Sequence, residues 1–217
     1  MLYYRIRFAI VVATACIAVG YLPSANARTQ SELVLATSAD DPALTNRLVA
    51  LGPGVSRAEA QRVTSISYNT GRELALKWKM IPSPTVQSFL INIGIKKGGY
   101  CYQFATELLI RLEAEKFKTL DLHWGESDAG TDTEHNVPVV TARGQPFEQG
   151  IMLDNWRNSG KLLWGPLTGD PSHKWKENAE ELRRRLHRAP SSDPAKAASK
   201  PKKTPEPATV SQSERVQ

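Results

Sequence analysis

Cys101, His135 and Asp154 are the residues whose types and order in this 217-residue chain suit nucleophilic catalysis. A sulfur attacks as its thiolate, needs an imidazole to take its proton, and works best when a third group orients that imidazole. Cys101 follows Gly98 and Gly99 and shares one helical face with Phe104, Ala105, Leu108 and Leu112, a pattern that predicts a helix beginning at the cysteine. Unpaired N–H groups and the dipole at such a helix start favour a thiolate, and the backbone N–H groups of Cys101 and Tyr102 are candidate oxyanion donors. The paired glycines would let a substrate approach the backbone closely. A bland reading stays open beside this one, because free cysteine is often buried and Cys101 lies on an apolar stripe.

Cys101 is expected to be the only thiol of the working protein. Arg5 and Arg7 precede an apolar run over residues 8 to 22 and a small-residue site, Ser24-Ala25-Asn26-Ala27. The run is about 15 residues, short of the roughly 20 that span a bilayer, so residues 1 to 27 read as a signal peptide cleaved before Arg28, with no transmembrane anchor after processing. Export, most simply to a bacterial periplasm, follows. Cys16 after Ala13-Thr14-Ala15 also resembles a weak lipoprotein-processing box, a minor alternative. Losing the leader removes two arginines and no carboxylate, so 26 Lys+Arg against 22 Asp+Glu leave a charge of +4. That mild excess, without a clustered basic stripe, argues against a nucleic-acid partner. A lone cysteine in an exported chain is an inert buried residue, an intermolecular link or a reactive thiol. No spacing among the histidines, the cysteine and the carboxylates makes a zinc site, so neither metal nor cofactor is expected.

The elements that must position these residues follow from the pattern. Residues 190 to 217, rich in Pro, Ser, Ala and Lys, lack the apolar surface to offset ordering and read as a disordered tail. Residues 28 to 41 read as an irregular lead-in, leaving 42 to 189 as one domain. Ser56-Arg57-Ala58-Glu59 has the form of a capping box and opens a helix carrying Val63, Ile66, Thr70 and Leu74. Ser83-Pro84 starts a second helix with an apolar stripe of Val86, Phe89, Leu90 and Ile93, stopped by Gly94. The period then changes to alternation, with strands expected over 120 to 124, 135 to 141 and 151 to 156. His135 stands at the mouth of the second strand and Asp154 on the third, and antiparallel pairing brings such positions together. The predicted class is α+β, with N-terminal helices and the cysteine helix packed on a small antiparallel sheet. A last amphipathic helix is expected to carry Trp175, Ala179, Leu182 and Leu186, with Arg183-Arg184-Arg185 as its solvated face. His123 reads as half exposed, His173 and His187 as surface residues, and Trp156, Trp164 and Trp175 as core or groove-lining.

Three segments resemble the bacterial transglutaminase-like cysteine proteinases of the papain-like superfamily. They are Gly99-Tyr100-Cys101-Tyr102-Gln103-Phe104-Ala105, His135-Asn136-Val137-Pro138-Val139-Val140-Thr141 and Ile151-Met152-Leu153-Asp154-Asn155-Trp156, within residues 80 to 165. The resemblance implies a papain/transglutaminase-like fold, a Cys101 nucleophile, a His135 general base and acid, and an Asp154 that orients the imidazole. Tyr100 and Tyr102 stand where periplasmic members carry acidic residues associated with calcium, so calcium dependence is not implied. The expectation is an exported thiol enzyme that cleaves or transfers at an amide bond of a protein or peptide, most simply a peptidase. The competing expectation is a non-catalytic envelope binding module that keeps the papain-like fold. Oligomeric state is left open.

Overall fold

Proline and short polar side chains decide where the helices begin. The structure, a computed structural model, describes residues 31–187; the expected signal peptide with Cys16, and the expected tail over 190 to 217, lie outside the described residues. Helix α1 (Pro42–Val49) opens on a first-turn proline, with Asp41 accepting from the amides of Ala43 and Leu44 at 2.8 and 3.3 Å. Helix α2 (Arg57–Lys77) opens on Ser56, whose hydroxyl accepts from Glu59 N. The capping box predicted there is only half made. Glu59 turns away from Ser56 and instead accepts from the amides of Lys118 and Thr119, both at 2.9 Å, and from the Thr119 hydroxyl. Burial opposes its ionisation, but these donors outweigh that and hold its carboxyl below the usual range.

Helix α3 (Pro84–Asn92) starts at Ser83 as predicted, and ends in a Schellman arrangement. Gly94 has φ +81°, its amide donates to Ile91 O, and Ile95 N donates to Leu90 O. Its apolar stripe departs from expectation: Val86, Phe89 and Ile93 are exposed, and the one fully buried residue of the helix is Gln87. Gln87 Nε2 donates to Trp78 O and Gly98 O, tying α3 down through polar bonds rather than an apolar face. Helix α4 (Cys101–Ala114) begins at the cysteine, with Gln103 Oε1 accepting from Gly99 N and Tyr100 N at 2.8 and 3.0 Å.

The sheet has six antiparallel strands rather than the three predicted. They are β1 (Val34–Leu35), β2 (Leu120–Ser127), β3 (His135–Ala142), β4 (Ile151–Asp154), β5 (Leu163–Pro166) and β6 (Lys176–Glu177), in the order β1-β5-β4-β3-β2-β6. The lead-in expected to be irregular thus contributes an edge strand. Glycines make room for it: a Cβ on Gly165 would come within 2.8 Å of Leu33 Cδ2 and 3.0 Å of Glu32 O. Asn155 and Trp156 fall past the end of β4, where Asp154 turns the chain. Trp175 precedes the last helix, α5 (Ala179–His187), and lies outside it.

Alternation along the strands sorts the core. Val140, Ile151 and Leu153 pack with Leu44, Leu48, Val63, Leu108 and Leu112 of α1, α2 and α4. Val137, Val139 and Met152 face the other way and meet Phe147 and Leu167, with Leu33 and Trp175 against them. A small third cluster of Ala105, Leu109 and Trp124 seats α5 through Leu182 and Leu186. Arg185, expected on a solvated face, is drawn in: it donates to Thr106 Oγ1 and lies 5.1 Å over the rings of both Tyr102 and Trp124. The α+β class is as predicted, with five helices and the cysteine helix against the sheet.

Candidate active site

The Gly98-Gly99 segment carries the chain into α4, and its glycines serve close packing. A Cβ on Gly98 would come within 2.6 Å of Trp78 Nε1, and Gly99, at φ +110°, would place one 2.6 Å from Met80 Sδ. The space expected to admit a substrate at these glycines is filled by the protein's own Trp78, Met80 and Gln87. Trp156 Nε1 donates to Gly99 O at 2.9 Å and so fastens the end of β4 to the residue pair before the cysteine.

Cys101 occupies the first position of α4, where backbone N–H groups lack intrahelical acceptors, and it is 9% exposed. Its thiol donates to Glu134 O at 3.5 Å, and Asn136 Nδ2 approaches the sulfur at 3.9 Å. Asn136 is buried and its amide is oriented from behind, because Trp124 Nε1 donates to its Oδ1 at 3.0 Å.

His135 and Asp154 come together as β3 and β4 pair. Val139 faces Met152 and Val140 faces Ile151, and continuing that register sets Asp154 opposite Val137, one same-face step from His135. His135 Nε2 lies 2.7 Å from Asp154 Oδ2, with the two side chains 2% and 1% exposed. By alternation both belong to the face of Met152 and Val137, while Asn136 and Leu153 turn toward α4. The meeting with the cysteine therefore happens at the strand ends. There Cys101, Phe104, Asn136, Leu153, Asp154 and Trp156 line one crevice, too narrow to hold a water molecule.

The electrostatics of the pair run against burial. Burial alone would keep His135 neutral, but the Asp154 charge and hydrogen bond, joined by Cys101, push its pKa up to about 9. Burial likewise opposes the Asp154 charge, and His135 and Arg157 overcome it to hold the carboxyl well below the usual range. His135 Nδ1 makes no hydrogen bond of good geometry, yet Cys101 is near enough to act on the ring. With Nε2 committed to Asp154, Nδ1 is the nitrogen left to serve the sulfur.

Several residues around this pair carry no signal in the sequence pattern. Arg157 Nε donates to Asp154 Oδ2 at 2.5 Å and Arg157 Nη2 to Asp170 Oδ2 at 2.8 Å. Asp170, whose carboxyl burial would push up, is held well below its usual range by His173 and Arg157. His173, expected at the surface, has its ring 5.3 Å from that of His135 and stacks on Trp175 at 5.0 Å. Trp156 and Trp175 stand 5.1 and 5.6 Å from the His135 ring, so an aromatic collar surrounds the imidazole, whereas Trp164 sits in the core. Asp154 is a turn carboxylate as well, because Oδ1 accepts from the amides of Trp156 and Arg157 while Oδ2 serves His135.

His123 lies elsewhere, held between Glu177 Oε1 at 2.7 Å and Thr141 Oγ1 at 2.9 Å, and His187 is exposed at the end of α5. Among the described residues no group of His, Cys, Asp and Glu side chains could hold a metal ion, and no helix is long and apolar enough to cross a membrane. No family model, curated protein or solved structure matches the chain.

Proposed function

We propose that this chain is an exported thiol enzyme with a papain/transglutaminase-like fold that cleaves or transfers at an amide bond, with Cys101, His135 and Asp154 as its triad. One observation carries the reading: a buried imidazole, bonded through Nε2 to a buried carboxylate, with the thiol of a helix-start cysteine close enough to act on the ring. Packing alone is a poor reason to bury a charged pair beside a sulfur, since an ion pair inside a protein costs solvation that apolar residues would not.

In this reading Cys101 Sγ attacks the amide carbonyl carbon as its thiolate and the carbonyl oxygen becomes an oxyanion. The protonated His135 passes its proton to the leaving nitrogen as the C–N bond breaks, which leaves a thioester on Cys101. Water or an amine, deprotonated by His135, then attacks the thioester and frees the thiol. Asp154 keeps the ring oriented and stabilises its charged form. Beside the backbone N–H groups of Cys101 and Tyr102, Asn136 Nδ2 is the side-chain donor for the oxyanion. Its Nδ2 lies 3.9 Å from the sulfur, on the side from which it would reach an oxygen on the carbon that Sγ attacks. The substrate is a protein or peptide, and the periplasm is the compartment.

Alkylation by iodoacetamide tests the reading. Wild type should label rapidly at neutral pH, Cys101→Ala not at all, and His135→Ala slowly; equal rates in wild type and His135→Ala would sink it. A second reading, a binding module that keeps the fold without catalysis, draws on the crevice being too narrow for water. It predicts that the folded protein resists alkylation altogether.

A further inference from the structure

Between Glu73 and Glu107 the chain carries no carboxylate and four lysines, Lys77, Lys79, Lys96 and Lys97. The most exposed apolar side chains among the described residues cluster in the same stretch. Val86, Phe89 and Ile93 recur at helical spacing on one side of α3 with exposures of 46%, 59% and 52%, Ile95 follows at 66%, and Leu76 at the end of α2 reaches 80%. Scattered exposed hydrophobic residues are ordinary, but a row of them flanked by lysines in a stretch without carboxylates is not. The lysines gather at the foot of the arm, where Lys96 Nζ donates to Lys79 O at 2.7 Å and Lys79 and Lys97 are exposed. Lys77 contributes least, lying over the Trp78 ring and 3.9 Å from Glu107.

The shape of this surface separates the occupants. These side chains project outward from a short helix held down by Gln87, and the chain around them supplies positive charge without a carboxylate. An exposed apolar row on a short helix, flanked in the chain by lysines and by no acidic residue, suits the boundary between anionic headgroups and acyl chains. We propose that the α3 arm docks on an anionic lipid surface, with Val86, Phe89, Ile93 and Ile95 entering the interface and Lys79, Lys96 and Lys97 meeting the headgroup phosphates. Docking would place the cysteine at that surface, because Tyr100, next to Cys101, donates its hydroxyl to Asn92 Oδ1 at 2.5 Å at the end of α3.

The processed chain, recovered after export, is mixed with vesicles of phosphatidylglycerol in phosphatidylcholine and with vesicles of phosphatidylcholine alone, then sedimented. It should partition to the anionic vesicles only, and less as salt is added. Phe89→Asp combined with Ile93→Asp, and separately Lys79→Glu, Lys96→Glu and Lys97→Glu combined, should weaken partition about tenfold or more. Both sets should leave Cys101 alkylation in solution at the wild-type rate. Equal partition to neutral vesicles, or variants that bind as wild type does, would overturn the proposal. So would a dimer that Phe89→Asp converts to monomer, which assigns the face to a second copy. Lipid binding with an inert thiol would instead fail the enzyme reading alone.

Discussion

At the scale of single residues, the site is governed by which atom each side chain offers to which neighbour. Asn136 Nδ2 donates to Glu134 Oε1 at 3.2 Å and approaches the Cys101 sulfur at 3.9 Å, while its carbonyl oxygen accepts from Trp124. On the proposed amide chemistry, Asn136→Leu should cut amide turnover by about 10² to 10³ in kcat while leaving iodoacetamide alkylation, which makes no oxyanion, near the wild-type rate. Loss of both together would demote Asn136 to packing. His135 gives a pH signature. Its pKa rises from 6.5 to about 9 on folding, so the stabilisation it contributes is complete below 6.5 and is lost as pH climbs through about 9. Urea unfolding of wild type across that window should show falling stability, and His135→Gln should flatten the fall; an unchanged slope would show that another group is responsible. Cys101, His135 and Asp154 were legible because their chemistry restricts them to a few residue types and orders. Arg157, Asp170 and His173 were not, because the contacts that join them to the site depend on loops after β4 and β5 whose paths no periodicity records.

At the scale of elements, helix starts were readable and helix faces were not. Ser56, Ser83 and the Gly98-Gly99 break each mark a beginning through local bonds that need nothing distant. Whether an apolar stripe is covered depends on the rest of the chain, and α3 shows the failure: its stripe has correct spacing and faces solvent. The two-residue strands β1 and β6 were missed for a related reason, since they are too short to display alternation, and in β5 Gly165 and Pro166 are residues that strands disfavour. Glycine substitutions separate backbone strain from packing here. Gly94 and Gly99 both have positive φ, but a Cβ on Gly94 meets nothing within 4 Å while one on Gly99 meets Met80 and Gln87. Gly94→Ala should cost about 1 kcal/mol and Gly99→Ala distinctly more, up to about 3, in the free energy of unfolding. Equal costs would mean that Met80 moves aside freely.

At the scale of the whole molecule, the chain closes its sheet from both ends. The first strand, β1, pairs with β5, Val34 opposite Trp164, across nearly the full length of the described chain. Such a contact carries a long loop-closure cost and should form late. Ala36→Pro, which removes the amide that donates to Leu162 O at 2.9 Å, should speed unfolding and leave the refolding rate nearly unchanged. Slowed refolding would place β1 in the nucleus instead. The last strand, β6, does the same at the opposite edge, where only Gly125 and Glu126 of β2 pair with it. Each outermost strand is thus only two residues long, and on the far side of β2 no strand of the described residues pairs with Leu120, Asp121, Leu122 or His123. Those rungs of β2 are where a strand from another copy would extend the sheet from one molecule to the next.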